Sequence, residues 1–254
     1  MSVLAVAAAG AVMTGAALQS AVGFGFALVA APLLYAAAPS PEQAVGLMVV
    51  LGLEVNLLTL LAERRRPDPV WRDVAAVVAW SLPGALAGVA VLRALDAVAL
   101  QLLVTVGVLS ALAMNLRAEV RARTAGAAPG PQPPWARPMA GFSSGALNTT
   151  TSTGGPPVAL LLMARGLRPH VVRDTLTASF VGMGTITIAA LALTGTDEAV
   201  PDAAWIAALV PLTAAGQLAG RPLFARIAAA RSYERVLTAV LLVTVVVGLI
   251  SVLL

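Results

Sequence analysis

Apolar residues run along this chain in long blocks separated by short polar connections. Residues 2–37 form one apolar stretch with a break near Gln19 to Gly25. The two sides of that break are each about 15 residues long. That is short for a membrane span and suits a re-entrant helix pair. Residues 43–61, 71–92 and 97–116 then read as full spans, the second carrying Pro83 and Gly84 as a kink. Residues 117–137 form a linker, basic at first and then rich in Gly and Pro. After it the pattern returns. Residues 138–165 hold a second polar break, and 171–194, 203–221 and 232–254 read as three more spans.

Composition places the chain among membrane proteins. Hydrophobic residues make up 59% and charged residues 11% of it, with a mean hydropathy of +0.90. An ordinary soluble domain does not have these values. Without a cysteine there is no disulfide, no thiolate metal site and no cysteine nucleophile. His170 is the sole histidine and sits in a basic loop without companion ligands, so neither a metal nor another cofactor is expected. All 16 basic residues are arginine. They lie in short connections between apolar runs, which argues for membrane orientation and against nucleic-acid binding. The Ala-rich N-terminus lacks a positive n-region, so it reads as mature protein and not as a signal peptide.

Charge sets the topology. Arg64 to Arg66 with Arg72, Arg117 to Arg137, and Arg221 to Arg235 make basic connections, whereas Asp197, Glu198 and Asp202 make an acidic one. With the basic sides in the cytoplasm, each polar-break segment returns to the side it left. The first hairpin then enters from outside and the second from inside, and both termini lie outside. Each half has three full spans, an odd number, so the halves are inverted relative to one another. If the broken segments cross fully, eight spans result and the halves are parallel. Arg165, Arg168 and Arg173 would then lie outside, which favours the inverted arrangement. The expected fold is an all-α polytopic membrane protein of two inverted repeats, 1–116 and 138–254. Each repeat holds a re-entrant broken pair and three transmembrane helices, in a bacterial inner (plasma) membrane.

The second break carries the candidate chemistry. Asn148 to Thr153 offers six consecutive polar side chains, followed by Gly154, Gly155, Pro156 and Pro157. Proline is tolerated in the first turn of a helix and Ser or Thr caps its start, so a helix begins abruptly here. A helix start at membrane depth offers unpaired N–H groups and a partial positive charge to an anion. Asn148, Thr149, Thr151 and Thr153, with the N–H groups near Gly154 and Gly155, form the expected cradle. One or two such threonines would suit back-bonding into their own helix, but six polar residues before Gly-Gly-Pro-Pro fit that reading poorly.

The first break is a twin of the second. Leu18 to Phe26 aligns with Leu147 to Gly155 without a gap, so that Gln19 meets Asn148, Ser20 meets Thr149 and Gly25 meets Gly154. Gln19, Ser20, Gly23, Phe24 and Gly25 are the matching binding candidates. The span segments also pair: Gly84 to Gly88 mirrors Gly216 to Gly220. These features indicate an internal duplication with broken helices meeting at the midplane, a transporter pattern.

The paired motifs Gln19 to Gly25 and Asn148 to Pro156 resemble the two signature segments of the TauE/SafE family, also called the sulfite exporter or toluene-sulfonate uptake permease family. The Pro-initiated span after the first motif and the stretch Gly216 to Arg221 resemble it too. The resemblance covers nearly the whole chain. It implies transport of a small sulfur-containing anion such as sulfite, thiosulfate or an organosulfonate.

Two further residues stand out. Glu54, with Asn56 two residues on, is the acidic residue near the centre of an expected span. Such a carboxylate is costly in the membrane and is a candidate to carry a coupling proton, or else a buried group that only holds helices together. Gln217 sits among small residues that permit close helix packing, and is a candidate to face the cavity. Arg221 and Pro222 mark the expected membrane boundary.

An intramembrane enzyme is the rival from another class. It lacks a base near any Ser or Thr nucleophile, and no nucleotide-binding glycine-rich motif is present. An anion channel is a second rival, since broken helices also build pores, and a carboxylate or other small organic anion is an alternative cargo. The expected partners are the anion and the lipid bilayer. A homo-oligomer is compatible with the same elements.

Overall fold

In a computed structural model, the structure describes residues 3–61, 65–94, 132–194, 201, 203–230, 232, 233, 235–240, 242 and 243. The expected span over 97–116, most of the linker, the acidic connection at Asp197, Glu198 and Asp202, and much of the last span lie outside the described residues.

The described chain is all-helical. The first break separates α1 (Val3–Val22) from α2 (Phe26–Ala37). After it come α3 (Pro41–Leu61) and α4 (Trp71–Ala94). The second break separates α5 (Ala136–Thr151) from α6 (Gly155–Met163), and α7 (Pro169–Leu193) and α8 (Ala203–Ala229) follow. Four of these helices, α3, α4, α7 and α8, are long and apolar enough to cross a bilayer. The chain is a polytopic membrane protein.

Local sequence explains where the helices stop. Gly23 and Gly25 adopt φ of 99° and 113°, a left-handed turn that side-chain-bearing residues resist. In the second break Ser152 takes that role with φ 57°, and Pro156 and Pro157 start the next helix. Two limits differ from expectation. α5 begins at Ala136, inside the stretch read as linker. α8 runs on through Arg221 and Pro222 to Ala229, so these residues lie within a helix and do not end one. A proline inside a membrane helix is tolerated where neighbouring helices satisfy the freed backbone group.

Both broken pairs fold back on themselves. A Cβ on Gly15 would stand 2.7 Å from the Phe26 carbonyl oxygen, although residues 11 apart along one straight helix lie about 16 Å apart. In the second pair, Gln132 ahead of α5 donates Nε2–H to the Leu161 carbonyl near the end of α6, at 2.7 Å. The far ends of this hairpin are tied together by buried Asp73, which pairs with Arg137 of α5 at 2.6 Å and with Arg165 beyond α6.

Glycines let the two halves approach at backbone distance, and they do so reciprocally. On α4, a Cβ at Gly88 would lie 2.9 Å from Thr149 Cβ of α5; on α8, a Cβ at Gly220 would lie 2.8 Å from Ser20 Cβ of α1. One turn earlier, Gly84 abuts the Phe142 carbonyl and Gly216 abuts the Met13 carbonyl. Residue numbers rise together in these contacts, so α4 runs parallel to α5 and α8 parallel to α1. Between α3 and α7 they run in opposite directions. Leu53 meets Gly184, while Arg65, just beyond α3, bonds Asp174 near the start of α7. These two helices are antiparallel.

Candidate functional site

The hairpin tips meet in a small cleft between α3 and α7. It is lined by Gln19, Phe24 to Leu28, Asn56, Asn148, Ser152 to Pro156 and Phe180, among others. Its volume is about 40 Å³ for the centre of a water-sized sphere. One water needs about 10–15 Å³ on that measure, so the space suits a few waters or one small anion. Among the described residues, none of those lining it carries a charge.

Two helix starts converge on this space. α2 begins at Phe26 after Gly25, and α6 begins at Gly155 after Gly154. A helix start carries roughly half a positive charge and donors without intrahelical partners. Gln19 organises the first start. Its Oε1 accepts the Phe26 N–H at 3.1 Å and its Nε2 donates to the Gly52 carbonyl at 3.4 Å, bracing α2 against α3. On α6, Pro156 and Pro157 have no N–H to give, which leaves Gly154 and Gly155 as the donors at the tip.

The twin residues stand in matching places. Gln19 and Asn148 both line the cleft, and Gly25 and Gly154 each immediately precede a helix. Asn148 donates Nδ2–H to Thr187 Oγ1 at 2.9 Å, leaving its oxygen and second amide hydrogen for other partners. Thr153 lines the cleft and shares a 2.6 Å hydrogen bond with Thr151 Oγ1.

Several expected binding residues sit elsewhere. Thr149 and Thr151 bond back to the Gly145 and Leu147 carbonyls at 3.1 Å each and do not line the cleft. Neither do Ser20 and Gly23, which face α7 and α8. Gln217 is buried between helices, with Nε2 3.5 Å from Thr59 Oγ1. Glu54 accepts a short hydrogen bond from Thr213 on α8, away from the cleft lining. Thr59 and Gln217 lie about one turn further along the same pair of helices, so α3 and α8 share a polar seam.

Sequence reasoning passed over Asn56, Ser152 and Phe180 as lining residues and Thr187 as the partner of Asn148. Asn56 and Thr187 had a readable signal, being polar side chains within apolar spans. Ser152 stood inside the polar run, and in the structure it lines the cleft with a left-handed backbone. Phe180 had none.

Comparison with known proteins adds one match. The family model described as "Sulfite exporter TauE/SafE" matches residues 7–249. No curated protein and no solved structure matches the chain.

Proposed function

The chain belongs to the sulfite exporter TauE/SafE family, and from that premise we propose that it is a secondary transporter of a small sulfur-containing anion, sulfite or an organosulfonate. The observation that carries this reading is the meeting of two helix starts at an uncharged polar cleft. Partial charges and amide donors attract an oxyanion without the grip of a buried Lys or Arg. Binding of that strength permits release on the far side.

The substrate contacts fall to Asn148, Ser152, Thr153 and the N–H groups of Gly154 and Gly155, with Asn56 opposite. Gln19 shapes the site by holding the start of α2. Phe24, Phe26 and Phe180 supply its apolar wall.

Alternating access is the mechanism we assign, with 1–116 and 138–254 as inverted repeats joined by the 117–137 linker. The antiparallel α3 and α7 support that reading, as do the reciprocal glycine contacts of α4 with α5 and α8 with α1. The clustering of Arg65, Arg137 and Arg165 at one end supports a cytoplasmic location for that end. The termini then lie outside a bacterial inner membrane. Glu54 is assigned the coupling proton.

The test is a panel of sulfite, thiosulfate, sulfate, taurine, sulfoacetate, sulfolactate and acetate. Thermal shift of the purified protein is followed by flux in vesicles. Stabilisation by one sulfur anion that is weakened in Asn148→Ala, together with saturable flux that this variant abolishes, supports the reading. Preference for acetate, or a current that rises without saturation, replaces it with a carboxylate carrier or a channel.

A further inference from the structure

Two arginines gather at the tip of the first hairpin, outside the cleft. Arg173, in the first turns of α7, is fully buried. Its Nη1 donates to the Ser20 carbonyl at 3.1 Å, and its guanidinium carbon stands 3.6 Å from the centre of the Phe224 ring. Arg221 precedes Phe224 by three residues on α8. Residues at that spacing share a helix face, so the Arg221 side chain issues beside the ring on which Arg173 is stacked.

Arg221 is short of acceptors. Its Nε and Nη2 are sealed from solvent and have no hydrogen-bond partner among the described residues. Ser20 Oγ is likewise buried without a partner. Ser20 packs on Gly220, the residue before Arg221. The carboxylate next to Arg173 in sequence is already engaged. Asp174 receives Arg65 Nη1 and Nη2 at 2.7 and 2.6 Å and the Asp68 N–H at 2.8 Å. Buried donors of a cation without an acceptor are strongly unfavourable, and a planar guanidinium fork fits two oxygens of one oxyanion.

We propose that Arg221, with Ser20 Oγ and neighbouring Arg173, forms a second anion station at the tip of the first hairpin, taking a small oxyanion of the sulfite, sulfate or phosphate type. Gly23, against Arg173, and Phe24, in the cleft wall, are adjacent residues, so the station lies next to the cleft. It faces the membrane side that carries Arg65 and Asp174. Its place as a stop on the exit or entrance route rests on the transport reading; the binding itself does not.

The experiment is thermal shift of the detergent-purified protein titrated with sulfite, sulfate and phosphate at constant ionic strength. Wild type is compared with Arg221→Gln, Arg221→Lys, Ser20→Ala and Asn148→Ala. We expect an anion response that survives in Asn148→Ala, weakens at least about tenfold in Arg221→Gln, and is intermediate in Arg221→Lys and Ser20→Ala. If Arg221→Gln does not fold, Arg221→Lys decides, since it keeps the charge and loses the fork. A wild-type response in either folded arginine variant overturns the station. An anionic lipid headgroup has the same chemistry, so phosphatidylglycerol is titrated in parallel. Stabilisation by that lipid and by none of the free anions also overturns it. If vesicles show no sulfur-anion flux while the Arg221-dependent response persists, the transport reading fails and the station stands.

Discussion

Asn148 Nδ2 stands 2.9 Å from Thr187 Oγ1, a buried hydrogen bond that fastens the tip of the second hairpin to α7. It fixes the plane of an amide that also lines the cleft. On the proposed transport reading, orientation of that amide and anion binding depend on the same side chain.

Thr187→Val separates the two roles. It removes the partner and keeps the volume, leaving the Asn148 donor unpaired at a cost of about 1–3 kcal/mol. A modest fall in melting temperature is expected, with anion affinity weakened less than in Asn148→Ala. Equal loss in both variants would mean that Asn148 acts only through its bond to α7.

The glycine contacts between the halves give a paired prediction. Gly88→Ala and Gly220→Ala each force a methyl group to within 3 Å of a Cβ on the facing helix. Overpacking of this kind costs about 1–3 kcal/mol, so both variants should lose stability by similar amounts. Gly10→Ala is the control. A Cβ there meets nothing within 4 Å, and alanine favours a helix by up to about 1 kcal/mol over glycine. Melting of the three purified variants checks the ranking, which fails if Gly10→Ala is the most damaging.

Asp73 holds both ends of the second hairpin through Arg137 and Arg165. It is 1% exposed while both arginines are about a quarter exposed. Removing one partner of a buried pair costs about 3–5 kcal/mol, and the hydration open to these arginines moves Asp73→Ala toward the low end of that range. Proteolysis or hydrogen exchange should show the 136–165 hairpin opening before the rest of the bundle. Uniform opening would argue against a local clamp.

The positions of both breaks were legible because glycine, proline and clustered polar residues interrupt long apolar runs at points where only special backbone fits. Gln19 and Asn148, polar residues set at the two breaks, line one cleft. What the chain did not disclose is direction. Whether a Thr hydroxyl faces a cavity or its own helix depends on a fraction of a turn, and Thr149 and Thr151 turn back while Ser152 and Thr153 do not. The far limit of α8 was not legible either: the apolar span reads as ending at Arg221, yet the helix continues through Pro222 to Ala229.

Glu54 offers the sharpest test of coupling. Its carboxylate accepts from Thr213 Oγ1, whose helix also carries Gln217 against Thr59, so the α3–α8 seam joins the first half to the second. A carboxyl group that takes up a proton on one side of the membrane and releases it on the other links that seam to the proton gradient. Glu54→Gln keeps the shape and mimics the protonated state permanently. Anion exchange without a gradient should persist in it, while uphill transport driven by an imposed pH difference should vanish. Thr213→Val keeps the carboxyl group and removes its partner, so it should retain gradient-driven flux with a displaced pH profile. Flux in vesicles at matched and opposed pH separates these outcomes. A Glu54→Gln protein that still concentrates its substrate on a proton gradient would leave Glu54 as a structural tie between α3 and α8.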